Sequence, residues 1–93
     1  MIKQDSFYKK LGEKIKKART DAGFTLESLN EQSGLELTKG SFSAMENGKQ
    51  QISAYQLYRI SKALHIPLDT FMEGLEEEKL NFPENDTKKI NEI

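Results

Sequence analysis

TLESLNEQSGLELTKGSFSAMENGK, residues 25–49, contains two short amphipathic runs separated by a glycine and a few residues of mixed character. Each run opens on a threonine, Thr25 and Thr38, whose side-chain oxygen can cap a helix. Each closes on a pair that tolerates the left-handed backbone of a helix end, Ser33-Gly34 and Asn47-Gly48. Leu26 and Leu29 give the first run its buried face, and Phe42 with Met45 gives the second. The second run then gives way to polar Lys49, Gln50 and Gln51. A C-cap would be a sufficient structural reason for stopping there. A functional reason would need a partner lying against the polar loop.

Helices are expected on both sides. Upstream, Phe7, Leu11, Ile15, Ala18 and Ala22 recur at steps of three and four, forming one apolar stripe with lysines opposite, until Gly23 stops the helix. Downstream, Ser53 and Gln56 have the spacing of a capping box ahead of Leu57, Ile60 and Leu64, with His65 as C-cap. A fifth helix starts around Pro67 and presents Leu68, Phe71, Met72 and Leu75. No strand pattern competes, so the chain reads as all-α with five helices. Residues 1–78 form the domain, and residues 79–93 form a polar tail broken by Pro83.

Composition limits the function. The 93 residues suffice for one small core. There is no Cys, which removes disulfides and thiolate metal sites and suits a reducing, cytoplasmic compartment. The apolar runs are too short to span a membrane, and MIKQDSFYKK lacks the apolar core of a signal peptide. His65 is the only histidine, so no catalytic Ser, His and Asp set can be nominated and zinc would need carboxylates to complete its shell. No enzyme activity, metal or cofactor is expected. The net charge of -1 conceals an asymmetry. Residues 1–66 carry 11 Lys and Arg against 7 Asp and Glu, a net of +4, while residues 67–93 carry 3 against 8, a net of -5. The basic part suits phosphates, although mixed solvated charge accounts for the same split.

Two short helices across a tight connection, with helices on either side, describe a helix-turn-helix unit in a five-helix bundle. The pieces LGEKIKKARTDAGFTLESL, FSAMENGK and ISAYQLYRISKALHIPLDTF together resemble the phage-repressor, or XRE, type of helix-turn-helix transcriptional regulator. The resemblance covers Leu11 to Met72 and implies a lambda-repressor-like fold. It also implies that the helix after the turn enters the major groove of double-stranded DNA.

The positions implied to meet base edges are Thr38, Lys39, Gly40, Ser41, Ser43 and Ala44. These are mostly small residues with few bidentate readers, so part of the specificity is expected from DNA shape. Thr25, Asn47, Lys49 and Gln50, with Gln51 beside them, are implied to hold phosphates, Thr25 through the amides at a helix start. By this reading the second helix stops at Asn47-Gly48 so that the loop can lie along a strand. Arg19 and Glu46 match positions that pair in the family, an ion pair with a structural role.

Three positions depart from the family pattern. LELTK is about two residues longer than the usual turn and brings Glu36, whose carboxylate phosphate would repel. Leu26 replaces a polar residue that supports DNA contacts, and Asn30 stands where a buried Ala is common.

The expected function is a cytoplasmic transcriptional regulator, a repressor acting as a homodimer on a near-palindromic operator. The fifth helix with Leu75, Leu80 and Phe82 is the expected dimer surface. Two other readings stay open. One is an antitoxin-like module that binds a protein partner through its acidic tail after Glu76, with DNA binding secondary. The other is a regulator whose ligand sits at the dimer contact or the tail.

Overall fold

The helices form where caps and stripes place them. The computed structural model describes residues 3–75, with α1 at Lys3–Asp21, α2 at Leu26–Ser33, α3 at Lys39–Glu46, α4 at Ala54–Leu64 and α5 at Leu68–Met72. There is no strand among the described residues, and the bundle is all-α. Thr25, Thr38 and Ser53 each accept a hydrogen bond from the third helical amide beyond them, at 3.0 Å in every case. Gln56 returns the bond to the Ser53 amide at 2.9 Å, completing the expected capping box. Ser28 does the same for Thr25 at 2.8 Å, a second box that a search for Glu or Gln at that position passes over.

The helix ends follow the same local chemistry. Gly34 takes the left-handed conformation at φ 75° after α2, and His65 takes it at φ 59° after α4. After α3, the Gly48 amide bonds to the Met45 carbonyl at 3.2 Å and the Lys49 amide to the Ala44 carbonyl at 2.9 Å, the paired bonds of a Schellman turn.

Packing joins α1 to α3 and α5, α2 to α3 and α4, and α4 to α5. The core gathers Leu11 and Ile15 from α1, Leu29 from α2 and Phe42 and Met45 from α3. Ile52, Leu57, Ile60, Ala63, Leu64, Phe71 and Leu75 close it from the carboxyl-terminal half. Each large apolar side chain buried in this way contributes roughly 1.5–3 kcal/mol. Among the described residues, no buried polar side-chain atom lacks a partner.

Three expectations about the apolar faces are corrected. Ala22 lies beyond the end of α1 and is exposed, because the Gly23 and Phe24 amides turn back onto the Thr20 and Arg19 carbonyls and Phe24 packs on the core instead. Leu68 is 40% exposed at the start of α5. Leu75 is buried in the core of its own chain, so it is not available as the expected dimer surface. Leu80 and Phe82, named with it, lie outside the described residues, as does the tail at 79–93.

Candidate nucleic-acid interface

One side of α3 is fastened to α1. A Cβ added at Gly12 would lie 2.5 Å from the carbonyl oxygens of both Met45 and Glu46, so α1 reaches the end of α3 only because position 12 has no side chain. A glycine inside a helix costs about 1 kcal/mol relative to Ala, and that cost was the only sign in the sequence of this crossing. Gly48 repeats the device. Its φ is 77°, and an added Cβ would lie 2.5 Å from the Lys9 Cα. The stop at Asn47-Gly48 is therefore required by packing.

The same junction holds a buried ion pair. Arg19 donates from Nε to Glu46 Oε2 at 2.7 Å and from Nη2 to Oε1 at 3.0 Å, while its Nη1 donates to the Phe24 carbonyl at 2.9 Å. The fork satisfies both carboxylate oxygens in a site from which water is nearly excluded. Arg19 and Glu46 thereby join the end of α1 to the end of α3.

The opposite side of α3 faces solvent. Thr38, Lys39 and Gly40 are exposed at its start, and Ser41, Ser43 and Ala44 are half-buried along it. Several of these side chains are already engaged. The Thr38 hydroxyl caps α3. Ser41 Oγ accepts from Gln50 Nε2 at 3.0 Å, which draws the loop after α3 back over the helix start. The Asn47 side chain reaches Ser43 Oγ at 3.5 Å, and Lys49 is exposed beyond it. Thr38, Lys39, Gly40, Ser41, Ser43, Ala44, Asn47, Lys49 and Gln50 thus belong to one continuous stretch of helix and loop, and Ser41–Gln50 and Ser43–Asn47 contacts tie its two parts together.

Thr25 stands apart at the start of α2, with its hydroxyl committed to the capping box. The anion at that helix start comes from the chain itself. The Glu27 carboxyl is held below the ordinary carboxylate value, first by a hydrogen bond from its own backbone amide and then by Lys39. Lys39 Nζ lies 3.3 Å from Glu27 Oε2 in a pair about two-thirds exposed on each side. Sequence reasoning missed this contact, because the partners are twelve residues apart on different helices.

The long turn between α2 and α3 has its own support. Asn30 Nδ2 donates to the Leu37 carbonyl at 2.6 Å, and the Leu37 amide donates to Asn30 Oδ1 at 2.9 Å. Glu36, in the extra length, adopts φ 56° and is exposed, while Leu35 and Leu37 on either side pack on the core. A left-handed non-glycine residue costs on the order of 1–3 kcal/mol and persists only where its surroundings fix it. Two departures from the family pattern, the longer turn and Asn30 in place of Ala, are therefore two halves of one arrangement.

A protein of Rhodospirillum rubrum, described as an uncharacterized transcriptional regulator in the ATPase CF(0) region, is 33% identical over 66 residues. The match takes in 71% of this chain and 59% of that protein, so the chain spans about three-fifths of its relative. The helix-turn-helix family matches residues 15–71, which contain α2, the long turn, α3 and α4 entire. With more than half its length matched and the two-helix unit in place, the chain belongs to the XRE-type helix-turn-helix family.

Proposed function

We propose that the chain is a sequence-specific double-stranded DNA-binding transcriptional regulator that presents the outer face of α3 to the major groove. The observation that carries this reading is the two-sidedness of α3. Its inner face is fixed by Gly12 and the Arg19–Glu46 pair, while Lys39, Gly40, Ser43 and Ala44 look outward from a helix of eight residues. Small outward side chains allow close approach to base edges, and Ser and Lys supply donors there. The loop at 47–50 supplies phosphate contacts, Asn47 and Lys49 foremost, and the α2 start near Thr25 adds one when phosphate displaces the exposed Glu27 carboxylate from it. The family match and the description of the Rhodospirillum relative as a transcriptional regulator support the same class.

The regulator acts as a repressor and as a homodimer, with half-sites about one helical turn, about 34 Å, apart. With Leu75 buried, the exposed large apolar side chains among the described residues are Tyr55, Tyr58 and Leu68, of which Tyr58 and Leu68 line one cavity at the α4–α5 junction suited to a dimer contact. The cytoplasm is the compartment in which such a regulator works, and no helix among the described residues is long and apolar enough to cross a membrane.

Selection from a random duplex library at about 150 mM salt tests the reading. Enrichment of a two-fold symmetric motif is expected. Persistent weak binding with no enriched motif would overturn it in favour of the protein-binding module.

A further inference from the structure

We propose that Asn30, which lies behind the turn, determines base preference by positioning α3. This rests on the proposed DNA reading and deepens it. The Asn30 carboxamide closes a two-bond ring on one residue, taking both the amide and the carbonyl of Leu37. Leu37 immediately precedes the cap Thr38. Its apolar side chain occupies the place that packs against the fourth helical residue in a hydrophobic staple, here Phe42, and it packs on the core cluster containing Phe42.

With both polar groups and the side chain of Leu37 held, the direction in which α3 leaves the turn is fixed from α2. Gly34, which ends α2, donates its amide to the Asn30 carbonyl at 3.1 Å, so backbone and side chain of the same residue brace the two ends of the turn. The part under tension is Glu36, left-handed at φ 56° between those ends. Without the ring, only the core packing of Leu35 and Leu37 opposes relaxation of Glu36, and α3 gains freedom to present Lys39, Ser43 and Ala44 at more than one angle. A reader with such freedom keeps its phosphate contacts and loses discrimination among bases.

The test compares affinity for the duplex selected by the wild type with affinity for an unrelated duplex of equal length at the same salt. It uses the wild type, Asn30→Ala and Asn30→Asp, with the amide exchange rate of Leu37 measured in each. In Asn30→Asp one carboxylate oxygen still accepts from the Leu37 amide while the other faces the Leu37 carbonyl. The ratio of specific to unrelated affinity is expected to fall about tenfold in both variants, the scale of one lost base-pair preference, and Leu37 is expected to exchange faster. A merely structural role would lower both affinities together by the folded fraction and leave the ratio unchanged.

Should Asn30→Ala not fold, Asn30→Asp carries the test, and Glu36→Gly, which relieves the left-handed strain with Asn30 in place, is expected to keep the wild-type ratio. An unchanged ratio with faster Leu37 exchange overturns the proposal, as does unaltered exchange in Asn30→Ala. Failure of the DNA reading is distinguishable, because the wild type itself would then select no duplex.

Discussion

The two ends of α3 are built by different means. At its carboxyl end, Gly12, Gly48 and the buried Arg19–Glu46 fork bring backbone against backbone with no tolerance for an added carbon. At its amino end, a side-chain ring on Leu37, one left-handed glutamate and an exposed Glu27–Lys39 pair determine how the helix begins. The first region is dry and close-packed, so it governs whether the chain folds. The second is polar and partly wet, so it governs how a folded chain presents its outer face. The eight-residue helix is thus held tightly at one end and adjustably at the other.

The largest expected effect lies at the packed end. Glu46→Ala leaves the Arg19 guanidinium buried without its carboxylate, and thermal or urea unfolding should show a loss of about 3–5 kcal/mol, much of the stability of a small domain. Next is Gly12→Ala, where the methyl would meet two backbone carbonyls. A loss of about 3 kcal/mol is expected, and wild-type stability in this variant would show that α1 can move away from α3 and that the contrast is overstated. Thr38→Ala, at the polar end, removes one cap and should lower stability by about 1 kcal/mol, and a loss as large as that of Glu46→Ala would erase the distinction between the ends.

The smallest effect concerns Glu27. Its carboxyl titrates lower in the folded chain than in the unfolded one, so its contribution is complete above the ordinary carboxylate range and disappears as pH falls through its depressed folded value. The pair is exposed, so Glu27→Gln should flatten the acid limb of the stability curve only slightly, and salt should mask the difference. A large change would show that this contact is part of the structural end.

The sequence made the elements legible because caps are local. Thr25, Thr38, Ser53, Gly34 and His65 each act within a few residues of their own position, and all were readable. The core stripes were readable for the same reason, with misreadings at Ala22, just past the end of α1, and at Leu68, the first residue of α5, while Leu75 belongs to the stripe and is unavailable only as a dimer surface. The pairing of Arg19 with Glu46, 27 residues apart, was reachable only through the family resemblance.

The rest depended on distance. Gly12 gave only the weak sign of a glycine in a helix, and its partner carbonyls belong to residues more than thirty positions away. Asn30 and the longer turn were both visible as departures, yet the bonds joining them depend on a side chain meeting a backbone seven residues on, around a glutamate in a conformation glutamate rarely adopts. Glu27 with Lys39 has no signature in either helix alone.

Whether the outer face of α3 meets DNA is read from a titration of the isotopically labelled chain with the selected duplex, followed amide by amide in solution. The largest shifts and broadening are expected on residues 38–44 and 47–50, with a second set at the α2 start near Thr25, while the amides around Tyr55 and Tyr58 on α4 stay in place apart from any dimer contact. Largest shifts along α4 and α5 with α3 unmoved would contradict it, because the outer face of α3 would then not be the surface that meets DNA.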